Sequence, residues 1–397
     1  MRIVVLGGYG LFGRHICLGL RRLSSQCSRP IEIWIAGRSR VKAQRCLHDI
    51  LARTNDAQPA LSRVTRVSDI WDRQTWHAIV LDHDHPDFAT QLAALRVNLV
   101  IHSAGPFQAQ RYHVALAAIA CGANYVDLAD SRAFVSGITE LDAAARAANV
   151  VVLSGASSVP AISSAVIDAL APVFAQIHSI DVGISPGNRT ERGLATVAAI
   201  LSYVGEPIPN WRNGQWIRAW GWLGLRRHRY PEPAGVRWLS DCDVPDVSLL
   251  TAHVPDAHSV RFGAGLEQPL LHFGLYALAI LRRYRILPNL VGFAKPLQRA
   301  STWLQNLGSD VGAMHVQLRG TNHDGRQLQA TWTLVASAGC GPNVPATPAV
   351  TFARAMAEGL NHRSGARPCV GEFSLAALAL QWEGLPITQS GINNVYT

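Results

Sequence analysis

Lysine is scarce in this 397-residue chain, which carries only Lys42 and Lys295. A Schiff-base mechanism needs a desolvated lysine, and neither of these two residues lies in a recognisable motif. The Tyr-x-x-x-Lys pair that serves one large class of dehydrogenases is absent at all eight tyrosines. The Tyr-x-x-x-Lys mechanism is therefore excluded, and a Schiff-base mechanism has only two candidate lysines.

Paired cysteines and long apolar runs are also missing. The seven cysteines include no CxxC pair, and their odd number and irregular spacing favour free thiols in a reducing compartment. No run of about 20 apolar residues exists, so we expect no membrane-spanning helix. The nearest approach, 270–281, is too short to span and is interpreted as buried core or a dimer face in preference to a membrane contact. The chain enters a strand at once rather than a signal-like apolar stretch, so we expect a cytoplasmic protein.

What the chain does have is arginine. The formal charge is +9, yet the arginines are scattered rather than grouped in a stripe, so nucleic-acid binding is not indicated. The positive balance favours small anionic ligands instead. A hydrophobic fraction of 48% with 16% charged residues is typical of a well-packed globular protein, and the length predicts two domains.

Residues 1–155 alternate apolar runs with helical patterns, which predicts a doubly wound parallel sheet with crossover helices. The predicted strands are Ile3–Leu6, Ile31–Ala36, Ala78–Leu81, Leu99–Ser103, Tyr125–Leu128 and Val150–Leu153. The predicted helices are Leu11–Leu23, Val41–Arg53, Asp87–Leu95, Tyr112–Cys121 and Glu140–Ala148. The segment 54–77 is ambiguous, with an extra strand suggested near 64–67.

The alternation fades after residue 155, and 156–345 is predicted to form an α+β domain for substrate binding or dimerisation. The predicted elements are a helix at Ile162–Phe174 and strands at Ile180–Ile184, Ala313–Arg319 and Leu328–Ala336. The turn residues at 321–326 predict antiparallel pairing of the last two strands. Helices predicted at Ala349–Leu360 and Phe373–Gln381, within 346–397, are expected to pack back on the first domain. The fold class is α/β.

A glycine-rich loop follows the first strand directly and opens a helix; its residues are Gly7, Gly8, Tyr9, Gly10, Leu11, Phe12 and Gly13. In this context the glycines permit a tight turn, close approach of a pyrophosphate and close helix–strand packing, while the helix N-terminus attracts phosphates. The motif therefore predicts a dinucleotide site.

The end of the second strand indicates which dinucleotide binds. Chains that bind NAD usually place Asp or Glu there to hold the ribose 2′-hydroxyl. Here Arg38 and Ser39 stand in that position and would bind a 2′-phosphate, so NADP(H) is favoured over NAD(H). The loop after the fourth strand is also predicted to contact the cofactor, through Ser103, Ala104, Gly105, Pro106 and Phe107.

Candidate catalytic residues lie in and just after the fifth predicted strand, at the mouth of the sheet; they are Tyr125, Asp127 and Asp130. One of the two aspartates would orient a proton donor or bind a substrate ammonium. The alternative is that Asp130 caps the next segment and Asp127 bonds to the loop backbone. Ser157, Ser158 and Arg189 are predicted to bind substrate. Arg189, with Arg192 nearby, would hold a carboxylate or else lie in a solvated loop.

Three further patterns are ambiguous. His102 lies inside a strand and is interpreted as a core residue. The tryptophans at 211, 216, 220, 222 and 238 either line a pocket for an extended ligand or pack in a core or dimer face. The run Asp82-His83-Asp84-His85 looks metal-like, but Pro86 marks a loop, so no metal site is predicted.

Several of these motifs together resemble the saccharopine dehydrogenase-like NADP-binding family. They are the glycine loop, Ala36-Gly37-Arg38-Ser39, His102-Ser103-Ala104-Gly105-Pro106-Phe107, Tyr125-Val126-Asp127-Leu128-Ala129-Asp130 and Ser158-Val159-Pro160-Ala161. The resemblance implies a Rossmann domain interrupted by a second α+β domain, a homodimer, and NADP-dependent reduction of carbonyls or imines, including amino-acid-derived imines. The Asp-Leu-Ala-Asp form belongs to a broad branch that also resembles trans-acting enoyl reductases of lipid assembly.

Three hypotheses follow for the function. The first is an NADPH-dependent reductase of a small carbonyl or imine compound in a biosynthetic pathway. The second is an enoyl reductase that acts on a lipid or polyketide chain. The third is a non-catalytic protein that binds NADP(H) as a sensor or scaffold.

Overall fold

The structure is a computed structural model that describes residues 1–27, 30–52, 75–360 and 362–396. Strands and helices alternate through its first part. They are β1 (Arg2–Leu6), α1 (Leu11–Gln26), β2 (Glu32–Gly37), α2 (Arg40–Ala52), β3 (Trp76–Val80), α3 (Phe88–Ala94), β4 (Leu99–His102), α4 (His113–Ala120), β5 (Asn124–Asp127), α5 (Arg132–Gly137), α6 (Asp142–Ala147) and β6 (Val151–Ser154). The six predicted strands are all present, and the strand suggested near 64–67 lies outside the described residues.

The remaining elements are less regular in their order. They are α7 (Ser163–Leu170), β7 (Gln176–Ser185), α8 (Leu194–Tyr203), β8 (Pro207–Arg212), β9 (Gln215–Trp220), β10 (Arg226–Arg229), β11 (Val236–Asp241), α9 (Asp246–His253), β12 (Ser259–Ala264), α10 (Pro269–Arg283), α11 (Ala294–Trp303), β13 (Gly312–Thr321), β14 (Gln327–Ala336), α12 (Asn343–Ala357), β15 (Gly365–Pro368), α13 (Leu375–Ala379) and β16 (Ile387–Tyr396).

Seven strands form a parallel sheet in the order β15-β6-β5-β4-β1-β2-β3. The strand order reverses between β1 and β4, where Ile3 lies opposite Leu99 on one side and Ile33 on the other. Ligands of such sheets bind beyond the carboxyl ends of the strands at this reversal. The predicted α/β class, with a doubly wound parallel sheet, is confirmed.

The second sheet is mixed and has the order β10-β11-β12-β7-β13-β14-β16, with β8 and β9 attached through β12. Its centre, β7, pairs in parallel with β12 and antiparallel with β13. The predicted hairpin is confirmed, because β13 and β14 pair from Gly312 opposite Ala336 to Thr321 opposite Gln327. Asn322 Oδ1 stabilises the turn by accepting from the backbone N–H of Arg326 at 2.8 Å.

The C-terminal residues return to both sheets. Helix α12 packs closely on α1, because a side chain at Gly19 of α1 would collide with Val350 of α12. Strand β15 then extends the parallel sheet, with Gly365 opposite Val151, and β16 pairs with β14. The sequence predicted the two helices but neither strand. No strand pattern marks β15, because it is only four residues long and ends in proline.

One apolar core joins the two sheets. Ile3 and Ile33 of the parallel sheet belong to the same buried cluster as Val182, Val316 and Leu334 of the second sheet. The second sheet is therefore held beside the parallel one rather than tethered to it by a linker alone. All seven cysteines are free, as their spacing predicts. Among the described helices none has the length and apolarity needed to cross a bilayer.

Candidate active site

The glycine loop forms a tight turn at the carboxyl end of β1. Gly7 has φ 73°, and its N–H donates to Ala36 O at 2.9 Å, while Gly10 N–H donates to Gly7 O at 2.8 Å. A Cβ on Gly13 would collide with Gly7 O, so only glycine allows the helix to start this close to the strand. Helix α1 begins without a side-chain cap at Gly10. Its first N–H groups therefore suit an anion such as a pyrophosphate.

The loop after β4 lies against the glycine loop. A Cβ on Gly7 would stand 3.0 Å from Ala104 Cα. Ser103 Oγ donates to Leu6 O at 2.8 Å, and Gln110 Nε2 donates to Ala104 O at 2.7 Å. These bonds hold residues 103–105 where a flat ligand could approach their backbone.

Phe107, at the end of the same loop, has a different position. Its ring is 5% exposed and packs against Phe134 at 5.3 Å and His102 at 5.0 Å between ring centroids. The ring is thus part of a small aromatic core beneath the loop, while Gly105 and Pro106 are exposed. A direct contact between the Phe107 ring and a cofactor stays a prediction.

The end of β2 carries no carboxylate. Arg38 is exposed there, and Ser39 N–H donates to the Tyr9 hydroxyl at 3.1 Å. The Tyr9 ring lies directly over Gly37, where any side chain would collide with it. Tyr9 thereby ties the glycine loop to the segment that the sequence assigned to the ribose phosphate. The first strand, the helix start and this cationic corner together fit the phosphates of a dinucleotide.

A cavity of about 310 Å³ separates the glycine loop from the second sheet. One wall comes from the parallel-sheet loops and includes Leu11, Phe12, Leu128, Asp130, Ser157 and Ser158. The opposite wall includes Ile184, Arg192, Thr196, Met314, Leu334 and Val344. A second cavity, of about 320 Å³, adjoins the start of α1 and shares Leu11 and Glu191 with the first. The cavity thus brings five of the predicted site residues together: Leu11, Phe12, Asp130, Ser157 and Ser158.

Asp130 is a carboxylate in the cavity wall. Its Oδ1 accepts from Gln108 Nε2 at 3.1 Å, and burial raises the pKa of the carboxyl above its ordinary value. It does not cap α5, because Ser131 holds the cap position and the cap has no side-chain hydrogen bond. A carboxyl that keeps its proton more readily than usual, next to a cavity, can give that proton to a bound ligand.

Asp127 lies beneath the cavity rather than in its wall. Its Oδ1 accepts three hydrogen bonds of 2.9 Å, from Ala129 N–H, Gly155 N–H and Ser154 Oγ. The side chain is fully buried, and burial raises its pKa to about 6 against the lowering effect of these donors. The alternative interpretation from sequence, a carboxylate that bonds to the loop backbone, therefore describes Asp127.

Tyr125 belongs to the same buried layer. Its hydroxyl lies 3.0 Å from His102 Nδ1, and neither side chain lines the cavity. Burial raises the pKa of Tyr125 well above its usual range and lowers that of His102 to about 3. His102 is therefore neutral and packed, as its place in the strand predicts.

The two arginines after β7 lie in different surroundings. Arg189 is exposed and absent from the cavity lining, although its backbone N–H bonds to Ser309 O. Arg192 lines the cavity and donates to Asn188 Oδ1 at 2.6 Å. Burial lowers the pKa of Arg192, and the nearby Glu267 opposes that shift. Between these two, Arg192 is the one positioned to hold an anionic group inside the cavity.

The clustered tryptophans pack elsewhere. None of the five lines the cavity. Trp211 and Trp216 contact each other with centroids 5.2 Å apart, and Trp222 is buried beside His272. Of the two interpretations of this span, packing describes these residues better than a ligand pocket.

A histidine cluster forms near Arg38. His83 Nδ1 lies 3.3 Å from His113 Nε2 and 3.2 Å from Asp84 Oδ1. No local pattern indicated that His113 would lie beside the metal-like run at 82–85, because it lies 28 residues beyond His85 in the chain. Both contacts use the same nitrogen of His83, which donates to the Asp84 carboxylate when it carries a proton and accepts from His113 when it does not. Burial lowers the pKa of His83, and the positive charge of Arg38 adds to that effect.

The fold and the glycine loop define a Rossmann-type protein with a second, mixed sheet. Solved structures share this fold along almost the whole chain. Saccharopine dehydrogenase (L-Glu forming) from Saccharomyces cerevisiae is 13% identical, with 99% of each chain covered and a TM-score of 0.65. Homospermidine synthase from Legionella pneumophila, solved in complex with NAD, is 11% identical over 100% of this chain and 91% of its own, with a TM-score of 0.55.

The chain matches no protein-family model and no curated protein sequence. The two solved structures confirm the predicted resemblance to saccharopine dehydrogenase-like proteins at the level of the fold.

Proposed function

We propose that this chain is an NADPH-dependent reductase of a carbonyl or imine compound, with an amino-acid-derived acceptor. The observation that carries the proposal is the composition of the 310 Å³ cavity. Leu11 and Phe12 of the glycine loop form part of its wall, and Asp130 and Arg192 line the same space. A dinucleotide at the loop and an acceptor in the cavity would thus be neighbours.

The cofactor would be held by the N–H groups at the start of α1, by the 103–105 loop and by Arg38 with Ser39. When bound, the nicotinamide supplies a hydride. The absence of a carboxylate at the end of β2 favours the 2′-phosphate, since an acidic residue there would repel it. Arg38 is exposed and free to pair with that phosphate.

The chain's own residues would bind the acceptor and manage the proton. Arg192 would pair with a carboxylate of the acceptor, and Ser157 and Ser158 would hydrogen-bond its polar groups. Asp130, whose pKa burial raises, would deliver the proton to the oxygen or nitrogen of the bond being reduced. The names of the two similar structures support an amine or amino-acid substrate, since one acts on saccharopine and forms L-Glu and the other makes homospermidine.

Cofactor titration tests the first part of the proposal. We expect the protein to bind NADPH more tightly than NADH. Replacing Arg38 by alanine should weaken NADPH about 10- to 100-fold, the value of one or two charge-assisted hydrogen bonds. The same change should leave NADH binding unaltered. Arg45→Ala, on the exposed face of α2, is the matched control. Tighter binding of NADH, or an unchanged NADPH affinity in Arg38→Ala, would contradict the assignment.

Turnover tests the second part. We would follow NADPH absorbance with a panel of 2-oxo acids, each alone and mixed with amines. Oxidation by at least one member, lost in Asp130→Asn, is the expected result. Tight NADPH binding without oxidation by any carbonyl, imine or enoyl compound would favour the sensor hypothesis.

A second candidate is reduction of an activated C=C bond on a lipid chain. The observation that favours it is the apolar character of most of the cavity wall, for example Val159, Ile200 and Met314. An enoyl thioester of medium chain length is the discriminating substrate. Faster NADPH oxidation with this compound than with any oxo acid would make the second candidate the better one. The cytoplasmic location and the homodimer stay predictions.

A further inference from the structure

Helix α10 presents an apolar face to solvent. Its exposed apolar positions recur with helical spacing at Leu270, Phe273, Ile280, Leu281 and Tyr284. The opposite face is buried through His272 and Ala279. The interpretation of 270–281 as buried core is therefore wrong for one face of this helix, because that face has no covering element among the residues that the structure describes.

Exposed apolar side chains also occur along the chain beyond the helix, as far as residue 307. Trp303 is 84% exposed, and Ile286, Val291, Phe293 and Leu307 of the same segment are also exposed. Ten of the 19 exposed large apolar residues among those described lie within 270–307. We call 270–307 the apolar patch. Large exposed apolar surfaces are rare on monomeric soluble proteins and are typical of interaction sites, so this concentration calls for a partner.

The charges in this segment have one sign. No Asp or Glu occurs from Gln268 to Ser309, whereas the segment holds four arginines and Lys295. Arg282 is paired with Glu206, and the Arg283 guanidinium lies 4.8 Å from the centre of the Trp220 ring. Across the described residues, no ion pair involves Arg285, Lys295 or Arg299.

This combination does not suit a second copy of the chain. A twofold interface places a surface against itself, so unpaired cations of one copy would face those of the other with no acidic residue in the segment to offset them. An anionic lipid surface offers what the patch requires. It accepts apolar side chains at the acyl boundary, attracts Lys and Arg to its headgroups, and favours Trp and Tyr at the interface.

We propose that the apolar patch docks this protein on the surface of a membrane that contains anionic phospholipid. The chain lies on the membrane without crossing it. The patch adjoins the cavity, because Arg192 of the cavity wall bonds to Ser301 O and Asn188 Nδ2 bonds to Leu304 O. Docking would therefore bring the cavity wall close to the lipid surface. The proposal is independent of the assigned reaction.

Vesicle flotation with the full chain tests this proposal. The vesicles are phosphatidylcholine alone, or phosphatidylcholine with one third phosphatidylglycerol. We expect binding to the anionic vesicles that high salt weakens, and much weaker binding to the neutral ones. The double variant Arg285→Glu and Lys295→Glu should lose about fivefold in affinity, or more, for each charge.

Apolar variants and controls complete the experiment. Phe273→Ser with Trp303→Ser should abolish flotation, whereas Leu116→Ser on α4, also an exposed leucine, and Arg45→Glu should leave it unchanged. Circular dichroism verifies that each variant is folded. Absence of binding to either vesicle, or binding that the patch variants retain, would overturn the proposal. So would a doubled mass in gel filtration that Phe273→Ser returns to that of one chain, together with no flotation.

Discussion

The end of β5 and the loop that follows it carry two carboxylates, three residues apart, in opposite surroundings. Asp127 is fully buried and accepts three hydrogen bonds from the chain itself. Asp130 lines the cavity and accepts one, from Gln108. The β6 loop repeats the contrast, since Ser154 donates to Asp127 while Ser157 and Ser158 line the cavity.

The difference distinguishes two groups of residues. Asp127 and Ser154 form a buried supporting layer, whereas Asp130, Ser157 and Ser158 form a working surface that lines the cavity. A carboxylate that is fully buried, absent from the cavity lining and bonded through one oxygen to three donors of the chain fixes the loops around it and is out of reach of a ligand in the cavity. A carboxylate with a single partner beside a cavity can still bond to what enters. In the proposed reaction we therefore expect the residues of the cavity wall to contact the acceptor, and the buried layer beneath them to hold that wall in place.

The largest expected effect concerns the working surface. Asp130→Asn should lower kcat about 100- to 10,000-fold, the usual contribution of a positioned general acid, with little change in stability. Burial raises the pKa of Asp130, so the wild-type rate should fall as pH rises through that raised value. Steady-state rates across a pH series, with the acceptor found by the panel above, measure both effects. An unchanged kcat in Asp130→Asn would show that Asp130 is not the proton donor.

The next effect concerns the supporting layer. Asp127→Ala leaves two backbone N–H groups and the Ser154 hydroxyl without an acceptor, which should cost about 3 kcal/mol or more of unfolding free energy. Asp127→Asn keeps an acceptor oxygen and should cost less than half as much. Urea unfolding of both variants checks this. If Asp127→Ala unfolds like the wild type but loses activity, Asp127 belongs to the chemistry instead.

A smaller effect depends on pH. Asp246, at the start of α9, is fully buried, and burial raises its pKa to about 7 while the neighbouring Ser163 hydroxyl lowers it. A folded-state pKa above the unfolded value means that stability is lost as pH rises from about 4 to about 7. Asp246→Asn should therefore gain up to about 1.4 kcal/mol per pH unit over the wild type in that range, and no more above it.

Thermal or urea unfolding of Asp246→Asn and the wild type at several pH values measures this gain. A difference that is constant with pH would show that Asp246 keeps an ordinary pKa in the folded protein.

The smallest expected effect is on acceptor affinity. Arg192→Met should raise KM about tenfold or more for an acceptor that carries a carboxylate, since it removes a charge-assisted pair. The kcat should change little. Arg189→Met is the matched control, because Arg189 is exposed and outside the cavity lining. Equal effects of the two substitutions on KM would mean that Arg192 does not bind the acceptor carboxylate inside the cavity.

Much of the nucleotide-facing half could be predicted from the sequence because its signals are local. The glycines at 7–13 follow a strand directly, and the missing carboxylate at Arg38 can be seen in a few residues. The fold class follows from the alternation of strands and helices. None of these inferences needs knowledge of which distant segments meet.

The opposite wall could not be predicted in this way. Met314 and Leu334 alternate along ordinary strands, and nothing local marks their side chains as facing a cavity rather than a core. Asp127 and Asp130 are the same residue type in one loop, so only the three-dimensional positions of Ser154, Gly155 and Gln108 distinguish them. Arg189 and Arg192 differ for the same reason.

The central claim is that the glycine loop and the opposite wall form one site. Hydrogen–deuterium exchange of the whole protein, with and without saturating NADPH, tests it most directly. We predict slower exchange at 7–13 and 38–39, and also at 128–130, 157–159 and 190–193 across the cavity. Protection confined to the glycine loop, or absent from it, would contradict the account.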